Sequence, residues 1–396
     1  MDFLKPHKFD TIIFESGDSG HRSVYASHLM SYIDDHPELH NKFLFMLHKG
    51  MKPYLKDVPF SSNYSVEFID IKKVYNNHLS QSFENWRHIK KALDATSEIK
   101  GIIFMEIDTY FLLIGSPAFK RFKIEVRGIL LQPHVHFQHL HLGIGFAIRY
   151  VWKNLFLLRY GLLRNRRIKK VFLLNDRQAV KNLNRKMRNV FYSLPDPIER
   201  YDIRSSTSEQ ESILANYNIT KGKKNLLVFG SIDSRKNLDT IIDALLHLPE
   251  DIRQKIHLVI SGKIGPDASE KYMRSIKRSQ DQISIGYNDD YVLAEEREIL
   301  FKNCDLVLMP YINFYSASSV VGHAISHQKS ILATKIGLLG KIVRENGLGL
   351  TVDPLNPIEI RDAVITMLFN TNMHYDSEKL LSAYNVQVFC ETLLTD

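Results

Sequence analysis

The basic pair Arg235 and Lys236 follows an apolar run that stops at Gly230, within NLLVFGSIDSRKNLDTIIDALLHL at 225–248. Leu238, Ile241, Ile242, Leu245 and Leu246 recur at the spacing of one buried helix face, so the pair is expected to open a helix. A loop leaving the carboxyl end of a parallel strand delivers its residues to the crevice where doubly wound sheets bind ligands. The helix start adds free amides and a positive dipole end, and two cations placed there suit a diphosphate. Taken alone, the segment also reads as a solvated strand-to-helix loop with two surface cations.

A second segment, 305–354, favours the ligand reading. It holds a buried-type strand at Leu306–Pro310, then a hydroxyl-rich loop with Tyr315, Ser316, Ser318 and Ser319. A small-residue helix at Val320–His327, a strand at Ser330–Thr334 and a glycine-punctuated turn follow. Ser318 or Ser319 can cap the helix, with the amides behind them again facing a phosphate.

In order and spacing these two segments resemble the C-terminal half of GT-B glycosyltransferases of the family 4 type, the glycosyl transferases group 1. The resemblance covers roughly the whole chain and is more specific after about Lys224. It implies an α/β protein with two doubly wound Rossmann-like domains facing a cleft, the C-terminal helix returning to the first domain. The implied activity moves a sugar from a nucleotide-diphosphate donor to a saccharide acceptor, possibly lipid-linked, with retained anomeric configuration. No divalent metal and no cofactor beyond the donor itself are implied. Arg235 and Lys236 inherit the diphosphate by position, Ser318 and Ser319 the phosphate-facing helix start, and Tyr287 or its neighbours the base.

The departures fall on the sugar side. The family usually carries a Glu, seven residues, then a second Glu; those places are Tyr315 and His323 here, and the following Gly-x-Pro is Gln328-Lys329-Ser330. The missing carboxylates would contact sugar and ribose hydroxyls, and neither Tyr315 nor His323 replaces a carboxylate acceptor fully. A divergent donor geometry and a lost activity both fit; the intact diphosphate parts favour the first. A non-catalytic nucleotide-sugar binder or partner protein, or a nucleotide-sugar epimerase or hydrolase, are the competing classes.

Three further clusters belong to the first half. After the first strand, ESGDSGHR at 15–22 leads into a helix at about Ser23–Tyr32, and Gly17 and Gly20 would let backbone approach a ligand closely. Related transferases use such a loop beside donor phosphates and acceptor, with His21 and Arg22 the polar groups best placed to join it; a tight turn is the plain alternative. LLQPHVHF at 130–137 brings Gln132, His134 and His136 to a strand end, where similar enzymes often place a His or Asp next to the reacting sugar. Packing histidines are the plain alternative, and no third ligand cluster accompanies them to make a zinc site. Glu106 and Asp108 end another strand, either positioning an acceptor or capping a loop.

The elements that must position these residues alternate strand and helix twice. Expected strands are Thr11–Glu15, Lys42–Leu47, Val66–Ile71, Gly101–Ile107, Val126–Leu131 and Lys170–Leu174, then Asn225–Gly230, Ile256–Gly262, Ile283–Tyr287, Leu306–Pro310, Ser330–Thr334 and Leu348–Val352. Such near-continuous apolar runs belong to parallel sheets covered on both faces. At 396 residues with 44% hydrophobic content, two domains are expected: 1–200, 201–374, and a C-terminal helix at 375–396, with the connection within 194–224.

Two cysteines, Cys304 and Cys390, make no disulfide framework, which points to a reducing cytoplasm. The first ten residues lack a signal peptide's apolar core. Net charge is +8, yet between Arg149 and Arg188 thirteen Lys and Arg face one acid, Asp176, a local net of +12. The early part of that run interleaves cations with Phe146, Tyr150, Trp152, Phe156, Tyr160 and leucines. It is too interrupted by charge to span a bilayer, and reads as an amphipathic element on an anionic membrane surface or as a core-facing helix with a solvated basic back. No nucleic-acid module accompanies it.

Overall fold

Apolar runs alternating with amphipathic stretches give two parallel sheets, each with its own core. The computed structural model describes residues 9–18, 22–39, 42–55, 61–71, 78–131, 156–370 and 374–395. The chain divides into one unit of Met1–Pro195 with Val386–Asp396, and a second of Asp196–Asn385.

In the first unit the described strands are β1 (Thr11–Glu15), β2 (Phe43–His48), β3 (Tyr64–Ile69), β4 (Gly101–Phe104), β5 (Glu125–Leu130), β6 (Ile168–Leu174) and β7 (Phe191–Leu194), in the order β3-β2-β1-β4-β5-β6-β7. All pairs are parallel; Thr11 stands opposite Phe43 on one side and Gly101 on the other. Strand residues alternate between two cores: Ile12 and Phe14 enter one, Ile13 the other. The second core also contains Phe389, Cys390 and Leu393 of the last helix, Val386–Leu394. Arg127 and Lys170 donate to the carbonyls of Leu394 and Thr395, satisfying that helix's open end.

The second unit repeats the plan with β8 (Lys224–Phe229), β9 (Ile256–Ser261), β10 (Ile285–Asn288), β11 (Leu306–Met309), β12 (Ser330–Thr334) and β13 (Gly349–Val352), ordered β10-β9-β8-β11-β12-β13. In each sheet the chain runs outward from its first strand and then returns to that strand's other side. The order therefore reverses between β1 and β4 and between β8 and β11, and ligands of doubly wound sheets bind at the carboxyl ends beside such a reversal.

The two sheets match the expected fold class, with β1 and β12 at the expected bounds and the other expected strands shifted by a few residues. β7 was not expected. It is four residues at a sheet edge with Tyr192 exposed, too short for periodicity to register.

Candidate functional site

The loop leaving β8 turns at Gly230, whose φ of +99° is left-handed backbone open to glycine. The expectation that Arg235 and Lys236 open a helix is corrected. They lie in a 3-10 turn, Ser234–Lys236; Asn237 then takes a left-handed conformation (φ 59°), and the helix starts at Leu238. Asn tolerates that conformation, and its amide donates to the carbonyls of Pro310 (3.1 Å) and Pro354 (2.5 Å), tying the turn to the ends of β11 and β13.

This anchoring separates the two cations. Lys236 is only 7% exposed: its Nζ donates to Phe229 O and Tyr311 Oη, both at 2.6 Å, and sits 4.3 Å from the Tyr311 ring centroid. Burial pushes the ammonium down to about 7. Its hydrogen-bond partners are neutral oxygens, so its charge is incompletely compensated until an anion arrives. Arg235 is half-exposed, with Nε 3.1 Å from both oxygens of Asp233 and Nη2 2.5 Å from Oδ2. Those hydrogen bonds hold the guanidinium above its usual value.

Ser318 precedes the helix Ser319–Ser326 in extended backbone, but its side chain makes no cap hydrogen bond; it meets the Tyr311 hydroxyl instead. Tyr311 thereby links Lys236 to the helix start. Its signal in the sequence was its place as the first polar group beyond the Leu306–Pro310 run. Tyr315 uses its carbonyl to accept from Leu338 N (3.0 Å), and its half-buried phenol is raised by burial. Tyr287 lies on β10, partly exposed.

His323 is held inside a small polar cluster. Its Nδ1 faces Glu298 Oε1 at 3.6 Å, and Glu298 also accepts from His327 Nε2 and Arg297 Nε, each at 2.6 Å. The His323 ring packs 5.4 Å from Phe301 and 6.4 Å from Phe229, the last residue of β8. Desolvation, reinforced by Arg297, pushes His323 down to about 4. It is therefore neutral near pH 7.

In the first unit the reversal point carries acids. Glu15, at the end of β1, is buried; its Oε1 accepts from Gly17 N (2.7 Å) and Arg22 Nη1 (2.5 Å), while Arg22 Nη2 reaches Glu106 (2.5 Å). Burial raises Glu15 against the pull of Arg22. The Gly17 amide is turned to a carboxylate, and Arg22 is shared between two. Asp108 accepts from Leu131 N (2.9 Å), a loop cap. Gly20, His21, Gln132, His134 and His136 lie outside the described residues.

Among the described residues, no group of three or more His, Cys, Asp or Glu is placed to hold a metal ion, and no helix is long and apolar enough to cross a membrane. Cys304 and Cys390 are buried and free, each thiol raised by burial to about 12. Part of the basic run is described. Phe156 and Leu163 are 50% and 79% exposed around the helix Leu158–Arg164, beside exposed Arg159, Arg164, Arg166 and Arg167. Arg188 is committed inward, donating to the carbonyls of Leu162, Asn165, Arg166 and Ile168.

Residues 209–379 match the family model described as glycosyl transferases group 1. No curated protein matches the chain at a significant level. Among solved structures, the chain is similar to Anabaena Alr3699/HepE in complex with UDP and glucose, at 15% identity over 98% of this chain and 95% of that one, TM-score 0.62. It is similar to WaaG, a glycosyltransferase involved in lipopolysaccharide biosynthesis, at 14% identity over 98% and 96%, TM-score 0.62. It is also similar to sucrose-phosphate synthase from Thermosynechococcus elongatus, at 12% identity over 98% and 97%, TM-score 0.69. At such identities the likeness is one of fold, the two-sheet GT-B architecture.

Proposed function

We propose that this protein, whose residues 209–379 match the glycosyl transferases group 1 model, is a glycosyltransferase that moves a sugar from a nucleotide-diphosphate donor to a saccharide acceptor. The observation that carries the donor reading is Lys236: a buried ammonium with neutral oxygen partners, beside the reversal point of the second sheet, with the Arg235 guanidinium on the same turn. A diphosphate supplies the negative charge this arrangement lacks. The complexes of Anabaena HepE with UDP and with UDP-glucose support a uridine nucleotide as the first donor to try.

Catalysis in this reading is stabilisation of charge on the departing diphosphate by Lys236, Arg235 and the uncapped start of the helix Ser319–Ser326. The reaction is retaining and needs no divalent metal. The acceptor is a saccharide, lipid-linked, met at the inner face of an anionic membrane; the exposed aromatic, leucine and arginine side chains of 156–167 support this, as does the pathway in which WaaG acts.

Incubation with a panel of UDP-, ADP- and GDP-sugars tests the proposal. Acceptor-dependent release of nucleoside diphosphate, with the α or β product configuration following the donor, is the expected result. Release without acceptor would indicate a hydrolase, and binding without turnover a non-catalytic protein.

A further inference from the structure

We propose that the amino edge of the first sheet holds a binding pocket for a phosphate ester, with Lys100, Lys123, Arg127 and Arg167 as its cations. The pocket lies at the opposite edge of that sheet from Glu15, within the first unit, and does not depend on the donor reading. Lys100 immediately precedes β4, Lys123 stands two residues before β5, and Arg167 immediately precedes β6; the three strands are neighbours in the sheet. Adjacent strands lie about 4.8 Å apart, so these positions form a row roughly 10 Å long. Backbone hydrogen bonds hold the row in register: Lys100 O accepts from Glu125 N at 2.8 Å, and Arg167 O from Val126 N at 2.9 Å. A cavity of about 510 Å³ opens beside it, a volume typical of small-molecule sites.

The charged lining consists of those three cations, Arg127, Asp10 and Glu125. Both acids are already engaged. Asp10 accepts from Lys42 N at 3.0 Å and lies 3.6 Å from Lys100 Nζ, and Glu125 lies 3.5 Å from Lys169 Nζ. Arg127 and its cross-strand neighbour Lys170 donate to the neutral carbonyls of Leu394 and Thr395. Burial pushes both cations below their usual values, in Arg127 against the pull of Glu125, and the Arg127 charge adds to the effect on Lys170. A bound phosphate supplies the charge that this edge lacks. Backbone conformation is a separate sign. Lys123 has φ of +54°, a left-handed conformation that glycine or asparagine takes with less strain than a long side chain. Strain of this kind persists where the side chain has a task, here an ammonium at the rim of the cavity. Arg167 joins the pocket to the exposed Arg164 and Arg166, so the phosphate can come from an anionic lipid headgroup or from a soluble ester.

The test compares the wild type, the double variant Lys100→Gln with Lys123→Asn, and a control, Lys49→Gln with Lys52→Gln. The control removes the same charge from exposed lysines beyond the carboxyl end of β2. Calorimetric titration with glycerol phosphate should show saturable binding that the double variant weakens by about tenfold or more and the control leaves unchanged. Any phosphate held at Lys236 contributes equally in all three proteins, so failure of the donor reading leaves the comparison intact. Co-sedimentation with phosphatidylcholine vesicles containing phosphatidic acid separates the two sources. A headgroup source lowers vesicle binding of the double variant well below that of the control, whereas a soluble ester leaves the two equal. Lys123→Asn alone should melt no lower than the wild type, because asparagine tolerates the left-handed conformation. Equal losses in the double variant and the control would overturn the pocket, as would wild-type protein that binds no glycerol phosphate while the two variants sediment alike. A lowered Tm for Lys123→Asn would make that lysine a structural one and overturn its place in the site.

Discussion

Asp233 holds the guanidinium of Arg235 through Nε and Nη2 while also accepting from the Arg235 backbone amide at 3.0 Å. One acid thus fixes both the turn and the cation on it. A diphosphate must draw Arg235 off this partner, so the affinity contributed by Arg235 is a difference between two charge-assisted contacts. Arg235→Ala should weaken nucleoside diphosphate binding by roughly 1.5–3 kcal/mol, about 10- to 150-fold, with the fold intact because the site is a loop. Asp233→Asn keeps an acceptor for the backbone amide but releases the guanidinium, and should tighten binding several-fold. Calorimetry reads both; an Arg235→Ala affinity equal to wild type sinks the diphosphate assignment.

Lys236 gives a pH-dependent prediction. Its value falls from about 10.4 unfolded to about 7 in the fold, so the folded state disfavours the charged form. For a base lowered on folding, the stability penalty is absent above the unfolded value, grows as pH falls towards the folded value, and is constant below it. Lys236→Met removes that penalty. Its stability relative to wild type should therefore improve by up to about 3 kcal/mol between pH 9.5 and pH 6.5, whatever offset the lost contacts to Phe229 and Tyr311 impose. Urea unfolding at the two pH values measures the gap. The same variant should bind no nucleoside diphosphate detectably. A gap that does not change with pH would mean the ammonium is held charged without strain.

These residues also show where sequence reading stops. The turn carrying Arg235 and Lys236 was legible because an apolar run ended at Gly230 and a periodic helix began at Leu238, and both local signals survive in the structure. That one cation is buried and the other paired was not legible, because the partners Tyr311 and Phe229 reach Lys236 only through the packing of β8 beside β11. Glu298 was missed for a similar reason. Within AEEREILFKN it reads as one acid among several on a solvated helix, yet it is the one the fold turns inward to His323 and His327. The carboxylates around Arg22 were each visible, but the closing of Glu15 and Glu106 on one guanidinium depends on β1 lying next to β4.

Gly262 should tolerate no side chain. It directly follows β9 with φ of +134°, and a Cβ built there would stand 1.9 Å from the carbonyl oxygen of Gly230. Relief requires moving backbone at the root of the turn that carries Arg235 and Lys236. Gly262→Ala should cost roughly 2–4 kcal/mol in urea unfolding, combining backbone strain with overpacking. Nucleoside diphosphate affinity should fall as well, although residue 262 offers no group to the ligand. A variant with wild-type stability would show that the Gly230 loop moves freely.

The basic surface is to be tested with the arginines that the fold leaves outward. Lys170 holds the carbonyl of Thr395 and Arg188 is committed to backbone, so replacing these would disturb the fold, while Lys169 is already paired with Glu125 at 3.5 Å. Arg159, Arg164, Arg166 and Arg167 are exposed around Phe156 and Leu163. On anionic lipid each such cation contributes on the order of 1 kcal/mol, screened as the Debye length shortens from about 10 Å at 0.1 M salt to about 3 Å at 1 M. Vesicle co-sedimentation should show binding to anionic but not neutral lipid, weakened by salt and largely lost when the four arginines become Gln. Replacing Phe156 and Leu163 with Ser should lower the salt-resistant remainder, since that part comes from apolar insertion. Donor affinity should not change in either variant, because these side chains belong to the first unit and Arg235 and Lys236 to the second. Equal sedimentation with neutral and anionic vesicles, or none with either, would leave this run as a solvated face.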